Sequence, residues 1–250
     1  MEPRYGRLYS AAVLRPFAEQ LVDELGVRSG DVACDLVCDA GTLAIALGTA
    51  VGSHGRVVLV DDDEELLAAA SNDVAATGCA IATEQIRSIP DGSCNRVGSL
   101  CTLGFWDGPD PLDETERILS ASGVAAFLVW NGADPPAHER ALLDAIRDEA
   151  GMHSAFLERC LPAGIAAGRE DWETVTLRDV VRFDGMAQYW AAMVLERPVA
   201  RELAGASTAS LDAVRSVCER ALQPCIAADG TMRIPVTATM LRCRARTDPA

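Results

Sequence analysis

Hydrophobic positions along the chain follow a helical period in some stretches and form short unbroken runs in others. Leu14, Phe17, Leu21 and Leu25 recur at helical spacing ahead of Gly26, which predicts an amphipathic helix over residues 11–25. Apolar runs predict five strands, and the periodic stretches around them predict four more helices. The strands are expected at 32–37, 56–60, 79–83, 96–101 and 124–130, and the helices at 42–51, 61–76, 113–119 and 136–150.

Strands that alternate with helices in this way indicate βαβ units, hence a parallel sheet covered on both faces. The later part of the chain predicts strands at 175–183 and 234–243 and helices at 185–195 and 211–222, which would complete the same sheet. We therefore expect one domain over residues 1–250: a helical lid at 1–28, an α/β core at 29–150, and sheet completion with cap helices at 151–250. Ligands of such sheets bind beyond the carboxyl ends of the strands.

Composition narrows the classes of function. The 250-residue chain carries a formal net charge of -15, which disfavours nucleic acid as a partner. All 22 basic residues are arginine, and the absence of lysine excludes P-loop phosphate binding and Schiff-base catalysis. The nine cysteines include no C-x-x-C pair, so we predict neither disulfides nor a metal site.

The cellular setting is predicted from what the sequence lacks. No stretch resembles a signal peptide, and no apolar run has the length that spans a membrane. We predict a cytoplasmic protein with a small-molecule substrate and no membrane partner. Whether it forms a homodimer stays open.

The segment 33–42 reads A-C-D-L-V-C-D-A-G-T and joins the first predicted strand to the next helix. Glycine-rich turns occupy this place in nucleotide-binding α/β proteins, because glycine permits a tight turn and a close backbone approach to the ligand. Here Val37 and Asp39 stand where glycines are expected, and Gly41 remains.

Six short segments form a series of landmarks in sequence order. They are Cys-Asp-Leu at 34–36, Gly-Arg-Val-Val-Leu-Val-Asp at 55–61, Pro-Asp-Gly-Ser at 90–93, Ile-Leu-Ser-Ala-Ser-Gly at 118–123, Val-Trp at 129–130 and Asp-Gly at 229–230. In these landmarks and their order, the chain resembles the class I S-adenosylmethionine (SAM) dependent methyltransferases that act on small molecules. The resemblance covers nearly the whole chain. It implies a Rossmann-like, doubly wound, seven-stranded and mostly parallel sheet.

The resemblance also implies a SAM site, and the chain departs from it at several positions. The family's turn reads D-x-G-x-G-x-G and corresponds here to Asp35, Val37, Asp39 and Gly41, so two of three glycines are replaced. Asp61 matches the acid that accepts hydrogen bonds from the ribose hydroxyls. The remaining cofactor-binding positions that we assign are Asp62, Thr83, Glu84 and Cys101, where Thr83 stands in place of an acid that reads the adenine amine.

Two of these acids have a structural alternative. Asp39 is suited to cap the helix that starts at Thr42, and Asp61 is suited to a helix start together with Asp62 and Asp63. Valine is a poor residue for a positive-φ turn, and a carboxylate at position 39 adds bulk and negative charge beside the implied SAM. The sequence thus predicts either an altered mode of SAM binding or a site that has lost SAM binding.

Aromatic and polar residues near the predicted cleft are candidates for a substrate pocket, with ordinary core packing as the alternative. His138, near the start of a helix, is interpreted as an exposed helix residue, the alternative being that it faces the cleft. We assign Phe105, Trp106, Trp130 and Trp190 to an apolar pocket, and Tyr5, Tyr9, Asn131 and Tyr189 to the polar groups that orient a substrate.

Three functions fit these observations. The first is a SAM-dependent small-molecule methyltransferase with an unusual turn. The second, which we favour, is a former methyltransferase whose pocket catalyses a SAM-independent reaction such as a cyclisation or isomerisation in natural-product biosynthesis. The third is a non-catalytic protein that binds a metabolite or supports a partner.

Overall fold

The computed structural model describes residues 4–130, 134–160 and 169–245. Within these ranges, seven strands form one sheet in the order β3-β2-β1-β4-β5-β7-β6. The strands are β1 Val32–Leu36, β2 Arg56–Val60, β3 Ala80–Thr83, β4 Cys94–Leu100, β5 Leu119–Val129, β6 Glu173–Phe183 and β7 Met232–Arg244.

Six of these strands, β1 to β6, run in the same direction, and β7 lies between β5 and β6 antiparallel to both. Residues of β1 are buried along most of its length, as expected for a central strand covered on both faces. The predicted seven-stranded, mostly parallel sheet is confirmed. The assignment of 1–28, 29–150 and 151–250 to lid, core and completion stays a prediction.

Helices of three kinds connect the strands. The α-helices are Arg7–Tyr9, Arg15–Leu25, Thr42–Val51, Glu64–Ala75, Pro111–Ile118, Ala137–Ala150, Ala155–Cys160, Met186–Trp190, Val199–Glu202 and Thr208–Leu222. Two π-helical segments, Ser10–Leu14 and Ala191–Leu195, continue the helices before them. Short 3-10 turns lie at Gly52–His54, Ile86–Ser88, Leu103–Phe105, Leu203–Gly205 and Gln223–Cys225. No helix of the described residues is both long and apolar enough to cross a membrane.

Local sequence explains where several helices begin and end. Gly26 ends the first long helix in the left-handed conformation, with φ 60°. Asp63 caps the helix after β2 by accepting from the backbone N–H groups of Glu65 and Leu66. Asp110 does the same for the helix that starts with Pro111.

Several helices and strands begin or end at other residues than the sequence predicts. The first helix begins at Arg7 instead of 11, and its π-helical turn changes the phase of the buried face, so that Tyr9, Val13 and Leu14 all point inward. Strand β1 ends at Leu36 because Val37 has a left-handed backbone. The helices Ala155–Cys160 and Val199–Glu202 were not predicted, since neither is long enough to show a period.

Candidate functional site

The turn after β1 keeps left-handed backbone conformations although two of its residues have side chains. Val37, Asp39 and Gly41 have φ angles of 60°, 49° and 81°. Backbone hydrogen bonds from Cys38 to the Val60 carbonyl, 2.9 Å, and from Gly41 to the Cys38 carbonyl, 2.8 Å, hold the turn in shape. Such conformations cost on the order of 1–3 kcal/mol each in non-glycine residues. The valine is thus accommodated at a cost in backbone strain.

Asp39 does not cap the following helix, so that interpretation was wrong. The helix Thr42–Val51 has Gly41 at its N-cap position and no side-chain cap. The carboxylate of Asp39 instead accepts hydrogen bonds from the backbone N–H groups of Arg4, at 2.8 Å, and Tyr5, at 3.2 Å. Its role is to bind the N-terminal arm, which we define as residues 4–9.

Arg4 carries the arm's main side-chain contact with the sheet edge. Its Nη1 donates to Asp61 Oδ2 at 2.9 Å and its Nη2 to Asp61 Oδ1 at 3.1 Å, a bidentate pair. Nη2 also donates to Asp62 Oδ1 at 3.1 Å, and Nη1 lies 3.6 Å from Asp39 Oδ1. We call Arg4, Asp39, Asp61 and Asp62 the latch.

Of the three acids expected at the start of the next helix, Asp63 is the one that caps it, and Asp61 accepts from the Asp63 backbone N–H at 3.2 Å. Asp61 is almost fully buried and also accepts from the Asp39 backbone N–H at 3.0 Å. Burial would raise the pKa of Asp61, but the hydrogen bonds and charge of Arg4 hold it below its usual value. Burial raises the pKa of Asp39 although Arg4 and Tyr5 N–H groups oppose the shift.

The latch lies between two parts of the carboxyl edge of the sheet. In the closed part, side chains fill almost all the space; the open part contains a cleft. Beside the turn, Tyr5, Asp35, Asp39 and Thr42 line a remnant cavity of about 10 Å³. On the other side lies a cleft of about 830 Å³. The cleft is lined by residues from the ends of β2 and β3 and from the loop after β4, among them Asp61, Thr83, Glu84, Phe105 and Trp106.

Asp35 and Cys101 contribute to the closed part. Asp35 is buried, and burial raises its pKa well above the usual carboxyl range, with the nearby Asp61 and Asp39 charges adding to the shift. Cys101, at the end of β4, has a left-handed φ of 59°. Its carbonyl accepts a 2.7 Å hydrogen bond from the Tyr5 hydroxyl, which anchors the arm to a second strand.

The predicted apolar pocket is filled by its own side chains. Tyr5, Tyr9, Trp130 and Tyr189 are at most 1% exposed, and the rings of Tyr5 and Tyr9 stack at a centroid distance of 4.9 Å. The Tyr189 hydroxyl donates to the His138 carbonyl at 2.8 Å. These residues pack into the core, and of the four, Tyr5 also lines the small remnant cavity beside the turn.

The other predicted pocket residues lie apart from this group. Phe105 and Trp106 line the open cleft, and the indole N–H of Trp106 donates to the Pro109 carbonyl. Trp190 is half-buried and packs against the core away from the cleft. Asn131 lies outside the described residues.

A charged group is buried under the arm. The Tyr9 hydroxyl donates to Glu139 Oε1 at 2.6 Å, and Arg197 Nη1 donates to both Glu139 oxygens at 3.1 and 3.2 Å. The imidazole Nε2 of His138 lies 3.9 Å from Glu139 Oε1. We call Tyr9, His138, Glu139 and Arg197 the buried centre, since each side chain is at most 1% exposed.

Burial and pairing fix the ionisation of the buried centre. Burial lowers the pKa of His138 to about 4, so the ring is neutral near pH 7, and its interpretation as an exposed residue was wrong. Burial opposes ionisation of Glu139, but the charge of Arg197 keeps the pKa of Glu139 below its usual value. Glu139 and Arg197 therefore form an ion pair in the interior.

Sequence reasoning missed Arg4, Glu139 and Arg197. Arg4 lies in a short terminal segment with no periodicity, and Arg197 lies 58 positions from its partner. One signal was present: His138 and Glu139 are adjacent polar residues at the start of the helix after β5, where this kind of sheet places its ligand edge. In the described part of the chain, no cluster of His, Cys, Asp and Glu side chains is suited to hold a metal ion.

No protein-family model matches the sequence, and the search of curated proteins gave no match. Among solved structures, the chain is similar to a proposed methyltransferase from Bacillus halodurans C-125, with a TM-score of 0.56 and 12% identity over 92% of this chain and 99% of that one. The YcgJ protein of Bacillus subtilis gives the same figures, 0.56 and 12% over 92% and 99%. A third similar structure concerns the conversion of a disulfide bond into a thioacetal group during echinomycin biosynthesis, with a TM-score of 0.52 and 15% identity over 93% and 82%.

At sequence identities of 12% and 15%, the similarity to these solved structures is evidence for the fold alone. Together with the strand order and the single antiparallel strand between β5 and β6, it establishes that the chain has the class I SAM-dependent methyltransferase fold. The fold class inferred from the sequence landmarks is confirmed. What the site of this chain binds is a separate question.

Proposed function

We propose that this protein is an enzyme of the methyltransferase fold that acts on a small organic substrate without SAM as a methyl donor. One observation carries the proposal: the guanidinium of Arg4 binds both carboxylate oxygens of Asp61. The family resemblance assigns Asp61 to the ribose hydroxyls of SAM. The protein's own arm thus takes the hydrogen bonds that the cofactor would need.

The residues present do not fit SAM with the arm docked. The family holds the methionine part of SAM beside the turn, and there the remaining cavity is about 10 Å³, room for about one water molecule and far too little for the methionine group. The Asp39 carboxylate adds a negative charge where the carboxylate of SAM would approach. Loss of the ribose contacts and repulsion at the turn would each weaken SAM binding.

The buried centre supports an enzyme over a bare scaffold. A neutral histidine, a carboxylate and an arginine lie together beneath the fold's ligand edge, although burying such groups is costly. Strongly shifted pKa values combined with specific charge partners are a common property of functional sites. A cyclisation or isomerisation needs positioning and proton movement, which these groups offer without a methyl donor.

Calorimetric titration of SAM tests the proposal. The unmodified chain is expected to give no binding heat up to about 1 mM SAM, equivalent to less than about 4 kcal/mol of affinity. A triple variant, Arg4→Ala with Val37→Gly and Asp39→Gly, removes the latch and restores the glycines, so it should gain SAM binding. A micromolar Kd for the unmodified chain would refute the proposal.

A SAM-dependent methyltransferase gated by its arm is the second candidate, and the turn backbone favours it. Val37 and Asp39 keep the left-handed conformations that glycines would supply, and the cleft of about 830 Å³ lies next to Asp61. In that case Arg4→Ala alone would be enough to bind SAM. The same titration therefore separates the two candidates.

A non-catalytic binding role is supported by the filled pocket, in which Tyr5, Tyr9 and Trp130 leave little exposed surface. Such a protein would bind small molecules once the latch is broken and would not convert them. Mass spectrometry of ligands incubated with the Arg4→Ala variant distinguishes binding from turnover.

A further inference from the structure

The guanidinium of Arg197 has one edge that carries the ion pair and another that does not. Nη1 binds both oxygens of Glu139. On the opposite edge, Nη2 donates only to the sulfur of Cys160, at 3.3 Å, and Nε has no hydrogen-bond partner among the described residues. A thiol is a weak acceptor, so this edge is poorly satisfied for a side chain that is 1% exposed.

The Nε and Nη2 atoms form the side of a guanidinium that receives a carboxylate through two parallel hydrogen bonds. Glu139 leaves this side free, because it binds at Nη1. A second carboxylate would therefore approach Arg197 in the guanidinium plane, at the Nε–Nη2 edge and away from Glu139. In the described ranges, no protein carboxylate occupies that position.

Further buried polar atoms without a partner lie on the Glu139 side of the buried centre. They are the indole Nε1 of Trp130 and both imidazole nitrogens of His138, one of which is a donor and the other an acceptor in the neutral ring, and none has a partner in the part of the chain that the structure describes. The Trp130 and His138 rings are 5.8 Å apart, and the His138 and Tyr9 rings 6.2 Å. Buried donors without acceptors are rare in native proteins, because each one loses its hydrogen bond to water. The hydrogen bonds of the buried centre are thus incomplete, and the unpaired donor on the free edge of Arg197 itself is Nε.

Aromatic rings surround the guanidinium. Its carbon lies 4.4 Å from the ring centroid of Tyr9, 4.8 Å from Phe156 and 5.5 Å from Tyr5. Walls of this kind suit an apolar or aromatic ligand body, with the charged group at one end. Two of the three rings belong to the N-terminal arm.

The arm is held at points that can be released without unfolding the sheet. The latch binds its first residues, and the Glu196 carboxylate accepts from the Leu8 backbone N–H at 2.8 Å. If the arm lifts, Tyr5 and Tyr9 leave the faces of Arg197 and open space beside the unpaired edge. The space that a ligand would occupy beside Arg197 is therefore covered by the arm and not by the sheet.

We propose that the buried centre is a binding site for the carboxylate of a small aromatic or largely apolar organic acid, which pairs with the Nε–Nη2 edge of Arg197 when the arm lifts. The proposal names the substrate class of the enzyme proposed above and rests on that function. Phe156, whose ring lies 4.8 Å from the guanidinium carbon and is not part of the arm, contacts the body of the acid.

Fluorine NMR with two matched probes tests the site. 4-Fluorobenzoate has the carboxylate, and 4-fluorobenzamide has the same shape without the charge. We expect the benzoate signal to broaden with the unmodified chain and at least about fivefold more with Arg4→Ala, because the arm is released. The benzamide signal should change little in either sample.

Arg197→Lys is the decisive variant. Lysine keeps the positive charge that Glu139 needs, so the fold is retained, but it lacks the two-donor edge. Benzoate binding should fall by about tenfold or more, which corresponds to the loss of one charge-assisted hydrogen bond. Arg7→Ala, an exposed arginine in the same arm, should leave benzoate binding unchanged.

Equal broadening of both probes would mean that apolar contact alone holds them, and it would overturn the proposal. So would undiminished benzoate binding by folded Arg197→Lys, or no binding by folded Arg4→Ala. SAM titration on the same samples separates the two proposals. If SAM binds the unmodified chain and benzoate still requires Arg197, the SAM-independent function fails while the acid site stands.

Discussion

The N-terminal arm contacts two arginine clusters, which differ in how completely their hydrogen-bond donors are satisfied. Arg4 faces the carboxylates of Asp39, Asp61 and Asp62, and its side chain is still 14% exposed. Arg197 is buried, faces the single carboxylate of Glu139, and leaves one edge without a strong acceptor. The latch is a complete set of contacts on a terminal segment, whereas the buried centre is incomplete.

This difference indicates which of the two clusters would gain from binding a ligand. A cluster whose hydrogen bonds are already satisfied gains little from an added partner, while an unsatisfied buried donor gains a hydrogen bond. We therefore expect that removing Arg4 loosens the arm and that removing Arg197 destabilises the core.

The largest effect is expected from Arg197→Met. This change leaves Glu139 buried without its cation, which should lower the free energy of unfolding by about 3–5 kcal/mol. Urea denaturation at neutral pH measures the loss. The double variant Glu139→Gln with Arg197→Met removes both charges and should recover a large part of it. A double variant no more stable than the single one would contradict a true interior ion pair.

Arg4→Ala is expected to cost about 2–3 kcal/mol, less than the change at Arg197 because the latch is partly exposed. Hydrogen exchange should speed up at the Tyr5 and Leu8 amides, which now donate to Asp39 and Glu196. Arg7→Ala is the matched control and should stay within about 0.5 kcal/mol of the parent. Equal exchange in both variants would show that Arg4 does not hold the arm.

His138 makes the buried centre sensitive to acid. Its folded pKa of about 4 lies below the usual 6.5, so between these values the unfolded chain binds a proton that the folded chain does not. Stability should fall as the pH falls through this window, by about 2 kcal/mol from about pH 7 to pH 5. His138→Gln should lack this part of the pH dependence. If parent and variant lose the same stability between pH 7 and pH 5, the proton taken up on unfolding binds to a group other than His138.

The smallest effect concerns the strained turn below the latch. Val37→Gly loses a buried side chain but relieves a left-handed φ of 60°, so the net cost should be about 1 kcal/mol. Val57, equally buried in extended β2, is the control, and Val57→Gly should cost about 3 kcal/mol. Equal losses in urea denaturation would show that position 37 stores no strain.

Much of the fold could be predicted because its signals are local. Unbroken apolar runs such as that of β2, and helical periods such as Leu14 to Leu25, record which faces are buried. The ends of elements were less predictable, as at β5, which starts at Leu119 directly after a helix. Short helices such as Val199–Glu202 contain too few residues to show a period.

The site could be predicted only in part, because its contacts join distant segments. The sequence showed that Val37 and Asp39 replace glycines, but it could not show that Asp39 would bind the backbone of Arg4, 35 positions away. Likewise, the pairing of Glu139 with Arg197 depends on how the helices pack over the sheet. Each residue alone has the appearance of an ordinary surface charge.

The docking of Arg4 beside the cleft, in a chain without lysine, has a practical consequence for labelling. An amine-reactive reagent finds no side chain to modify among the 250 residues, since none of them is lysine. Coupling through amine chemistry would therefore leave the side chains of the latch, the cleft and the buried centre unmodified.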